Sequence, residues 1–242
     1  MRIERVSLLL APLVLAPAGR PPAGLDFEAL AAELRERCGG ASGVEEALGK
    51  GFERLTVGAF EVYFPKEPDR EAADRERRAL QGLIDVQGAW LALFGEGAEL
   101  ARGQKLVDSL ADANRGDDLA TAEASAELSA LLAASGATGF APVARRKARI
   151  VLAPGRRDFQ RMVAFFGADD PALRGLYWHD GVRVWTEFWW NDLQVVALEY
   201  PPAAGDGDDP GDGIPMDFHE ETGLEQHVAQ RGAIALAWYS FD

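Results

Sequence analysis

The three histidines are the residues best suited to metal or acid–base chemistry. His179 lies in the segment GLYWHDG, whereas His219 and His227 lie near the C-terminus, with Glu220 directly after His219. Imidazole is a common zinc ligand, and a carboxylate beside a zinc ion can activate its bound water. These side chains would form a metal site if the turn that carries His179 packs against the start of the last helix. Alternatively, these histidines have no chemical role: His227 is partly buried on a helix face, and His179 is exposed in a turn.

The spacing of these residues departs from the usual zinc motif. In His-Glu-x-x-His, the two imidazoles lie four residues apart on one helix face, and the glutamate acts as the general base. His219 and Glu220 begin such a motif, but Gly223 occupies the position of its second histidine. His227 is followed by valine, and Arg231 stands where the second histidine would be. We therefore expect no cofactor, with Zn²⁺ in an unconventional site as the alternative.

Four of the six tryptophans are concentrated between Gly175 and Tyr200: Trp178, Trp185, Trp189 and Trp190. Side chains alternate across a strand, which predicts Trp185 and Trp189 on one face and Trp190 on the other. An exposed indole could stack on a sugar or a peptide. We expect packing against neighbouring helices, because aromatic side chains contribute large buried areas to cores.

Other chemistries find little support in the sequence. It contains no phosphate-binding glycine motif of the Walker or dinucleotide type and no G-x-S-x-G nucleophile elbow. The net charge of -14 argues against binding to nucleic acid or to anionic membranes. The acidic segment 201–213 does not match a calcium loop, because Pro210 occupies a ligand position; we expect a surface loop there.

The N-terminus has the three parts of a secretory signal peptide. Arg2 and Arg5 precede an apolar run from Val6 to Leu15, and Ala16-Pro17-Ala18 forms a cleavage site. We therefore expect residues 1–18 to be removed, the protein to be secreted or periplasmic, and no membrane attachment to remain.

The elements that would position the candidate residues define an α+β fold. Residues 19–50 form an N-terminal helical lead-in, with a helix from Phe27 to Arg37 that Asp26 caps and Gly39-Gly40 ends. The single cysteine, Cys38, continues its apolar face and is expected to be buried. Residues 51–242 form a single α+β domain.

That domain has a helical part (69–136) and a part with a sheet and the C-terminal helix (145–242). A hairpin turns at Gly58-Ala59, one long helix covers 69–94, and two helices separated near Asn114 cover 98–134. The segment Glu45 to Leu48 is expected in a turn, and Phe60, Val62 and Phe64 are expected to face the core. After a strand at 149–153, Asp158 is predicted to cap a helix.

The tryptophan-rich segment is predicted to form an antiparallel meander with strands at 175–178, 182–190 and 193–200. We expect this meander to pack on the last helix, which is predicted at 222–239. The apolar stripe of that helix comprises Leu224, His227, Val228, Arg231, Ile234 with Ala235, and Trp238.

The order of elements from Phe52 to Asp242 resembles the peptidase MA-like, or gluzincin-like, metallopeptidase family of secreted bacterial proteins. The matching stretches are FEVYFP, RIVLAPGRRDFQRMVAFFG and GLYWHDGVRVW. The resemblance implies a closing helix that carries the zinc motif, which is incomplete here. We therefore expect a non-catalytic relative that acts as a binding or scaffold domain, or the N-terminal part of a longer metallopeptidase.

Two alternatives remain at this point. One is an active zinc metallohydrolase with an unconventional site, in which Glu220 would be the base and His179, His219 and His227 the ligands. The other is an extracellular module that recognises glycans or peptides through its tryptophans. The expected partner is a protein or peptide, with a glycan as the alternative.

Overall fold

The computed structural model describes residues 26–66, 70–116, 122–135, 147–168, 187–198 and 223–240. These residues form seven helices and one five-stranded sheet, which confirms the α+β class. In chain order the elements are α1 (Phe27–Arg37), α2 (Val44–Gly51), β1 (Phe52–Val57), β2 (Phe60–Pro65), α3 (Arg70–Phe94), α4 (Gly97–Arg115), α5 (Ala122–Ser135), β3 (Ala148–Ala153), α6 (Arg156–Phe166), β4 (Glu187–Trp190), β5 (Leu193–Ala197) and α7 (Gly223–Ser240).

The sheet is mixed, with strand order β1-β2-β3-β5-β4. Each outer pair is an antiparallel hairpin, whereas β3 pairs in parallel with both β2 and β5. A parallel connection needs a long crossover, and α3, α4 and α5 lie between β2 and β3 in the chain. The sequence predicted the two hairpins and the strand β3, but not the parallel pairing of β3 with both of them.

Both faces of the sheet are covered by helices. On one face, α1, α2 and α6 share an apolar cluster with Val151 and Ala153 of β3. On the other, α3, α4, α5 and α7 pack with Ile150 and Leu152 of the same strand. A strand buried on both faces lacks the apolar–polar alternation of a half-exposed strand, so β3 appears in the sequence as a short apolar run.

The structure confirms the predicted ends of α1, the predicted helices α3 to α5 and the burial of Cys38. The Asp26 side chain accepts a hydrogen bond from the Ala29 amide at 3.0 Å, and Gly39 and Gly40, with φ of 64° and 76°, end α1. The long helix α3 and the pair α4 and α5 are confirmed. Cys38 is buried, and burial raises the pKa of its thiol.

Two local predictions were wrong. Glu45 to Leu48 lie within helix α2 rather than in a turn. Helix α6 begins at Arg156 with Gly155 as its N-cap; Asp158 lies in its first turn and accepts hydrogen bonds from Arg37 and Arg161. In β2, Phe60, Val62 and the half-buried Phe64 face the same core cluster, as expected, and Tyr63 is buried on the opposite face.

The signal segment 1–18, the acidic loop 201–213 and the strand predicted at 175–178 lie outside the described residues. Within the described ranges, no helix is long and apolar enough to cross a membrane.

The β1–β2 turn is held by a side chain of α3. Gln87, which is completely buried, accepts a hydrogen bond from the Ala59 amide at 2.9 Å and donates to the carbonyls of Val57 and Leu83. Gly58 has a φ of 56°, and a Cβ there would lie 1.9 Å from the Gln87 Oε1. The turn therefore needs glycine both for its backbone conformation and for its contact with α3.

Replacing Gln87 with leucine should lower the free energy of unfolding by about 2 kcal/mol, because it leaves the buried Ala59 amide without an acceptor. Chemical denaturation of the wild type and the variant measures the difference. The matched control is Gln104→Leu on the exposed face of α4, which should change stability by less than about 0.5 kcal/mol. Equal effects of the two substitutions would contradict this role of Gln87.

Candidate functional site

Helix α7 is the element expected to carry the chemistry, and it lies between α3 and the sheet. Its backbone approaches α3 closely: a Cβ on Gly82 would lie 2.3 Å from the Glu225 carbonyl oxygen. Such an approach allows no larger side chain at Gly82 unless the helices separate. The position of α7 against α3 is therefore tightly fixed.

The buried stripe of α7 differs from the predicted one near its C-terminal half. Leu224, His227 and Val228 are buried as expected, and Arg231 is mostly covered. Ile234, however, is 43% exposed. Ala235 is buried as expected, and Gly232 and Leu236, which were not assigned to the stripe, are buried as well. The side chain of Trp238 lies outside the described ones.

A polar cluster lies where α7 meets the β4–β5 hairpin. Arg231 donates from Nη1 to the Glu187 Oε1 at 2.6 Å, and the Gln194 Nε2 donates to the Glu187 Oε2 at 2.7 Å. Both carboxylate oxygens of Glu187 are therefore occupied, one by a guanidinium. The side chains of Arg231 and Glu187 retain only 23% and 20% exposure, and Gln194 has none.

Neither Glu187 nor Gln194 was predicted as a site residue from the sequence. Gln194 had a detectable signal, since it is the only polar residue in the otherwise apolar β5 strand LQVVA. A buried polar side chain needs a hydrogen-bond partner, but the sequence gives no means of identifying a partner on another strand.

His227 lies on the same helix as Arg231, four residues earlier, and is only 1% exposed. Burial, reinforced by the positive charge of Arg231, lowers the pKa of His227 to about 4. Its imidazole is therefore neutral at physiological pH. Neutrality would suit a metal ligand, but a guanidinium one turn away would repel a cation at that position.

Five of the predicted site residues lie outside the described part of the structure: His179, His219, Glu220, Trp178 and Trp185. Among the residues that are described, no group of three or more histidine, cysteine, aspartate or glutamate side chains could hold a metal ion.

The two described tryptophans of the aromatic segment lie on opposite faces of the sheet, as the alternation predicted. Trp189 packs against the cluster that contains α3 and α7. Trp190 packs on the other side, with its ring stacked on Phe166 at a centroid distance of 5.8 Å. The two indoles therefore cannot form one stacking platform for a sugar or peptide.

No protein-family model matches this chain, and no curated protein or solved structure matches it either.

Acidification should destabilise the fold through His227. Its pKa of about 4 in the folded state is below the ordinary value of 6.5, so the unfolded state binds more protons between these two values. Stability contributed by the neutral imidazole is therefore complete above pH 6.5 and is lost as the pH falls towards 4. The loss should reach at most about 3 kcal/mol.

Denaturation of the wild type and of His227→Gln at a series of pH values measures this contribution. The aspartates and glutamates titrate in both proteins, so the difference between the two curves isolates the histidine. The wild type should lose more stability than the variant between pH 6.5 and 4. Parallel curves would show that His227 does not titrate as its burial requires.

Proposed function

We propose that this chain is an exported, non-catalytic domain that binds or scaffolds a protein or peptide, on a layout that resembles the peptidase MA-like family. The observation that carries the proposal is the ion pair between Arg231 and Glu187. It places a fixed positive charge one helical turn after His227, where a zinc-binding helix would offer a second imidazole.

Electrostatics opposes a catalytic cation at His227. Side chains four residues apart on a helix are close neighbours, with roughly 6 Å between them. At an effective dielectric constant of about 20, a divalent cation at that distance from a guanidinium is repelled by roughly 5 kcal/mol. The paired carboxylate of Glu187 offsets part of this repulsion, so the figure is an upper bound; both its oxygens already accept hydrogen bonds, from Arg231 and from Gln194.

The position for a general base is also unsuitable. In the zinc motif, the residue after the first histidine is the glutamate that activates water. After His227 that residue is Val228, which is completely buried in the core cluster of α3 and α7. This part of α7 therefore supports packing rather than hydrolysis.

The expected location and partner follow from the sequence. The signal-like N-terminus supports export, and the net charge of -14 favours partners other than nucleic acid. A domain without a reaction of its own would act through its surface, and its covered sheet leaves the outer faces of the helices for contacts.

Metal analysis tests the non-catalytic proposal. The purified chain is incubated with excess Zn²⁺, desalted and analysed by mass spectrometry of the metals, alongside His227→Ala. We expect less than about 0.1 zinc per chain in both proteins, because Arg231 opposes a bound cation. One zinc per chain in the wild type that is lost in His227→Ala, together with peptide hydrolysis, would instead establish a zinc metallohydrolase.

A further inference from the structure

We draw no further inference here: the strongest candidate, the apolar surface patch at the C-terminal end of α3, where Leu93 is 75% exposed beside the half-buried Trp90 and Phe94, carries none because nothing in the described part of the chain shows what covers it.

Discussion

The ion pair between Arg231 and Glu187 connects the last helix to the edge of the sheet. Glu187 begins β4, the outermost strand, and its partner lies 44 residues further along the chain. Both side chains are largely covered, so the loss of one would leave the other poorly solvated and without a counter-charge. Gln194 of β5 completes the arrangement by occupying the second carboxylate oxygen. The pair therefore adds a polar connection between α7 and the sheet to the close packing of α7 on α3.

Packing on the sheet and on α3 determines which side of α7 is accessible. The inward side of α7 packs on the sheet and on α3 through Leu224, Val228 and Leu236. Its histidine is buried, neutral at physiological pH and one turn from a guanidinium.

Local signals in the sequence predicted much of the fold. Gly58-Ala59 and Asn191-Asp192 indicated hairpin turns, and the structure confirms both, with positive φ at Gly58 and Asn191. The helices other than α2 followed from the spacing of their apolar residues. Long-range relations were not predictable: the parallel pairing of β3 with β2 and β5, and the contact of Glu187 with Arg231, join segments that no local pattern relates. Ile234 was assigned to the core because periodicity alone does not reveal that Gly232 faces Phe60 and Leu83.

A double-mutant cycle on Arg231→Met and Glu187→Gln tests the central claim most directly. Free energies of unfolding are measured for the wild type, the two single variants and the double variant at neutral pH. If the pair fixes α7 to the sheet, the coupling energy should be about 1–3 kcal/mol, and the double variant should lose less stability than the sum of the two single losses. A coupling energy within about 0.3 kcal/mol of zero would contradict the account, because the helix would then be held by apolar packing alone.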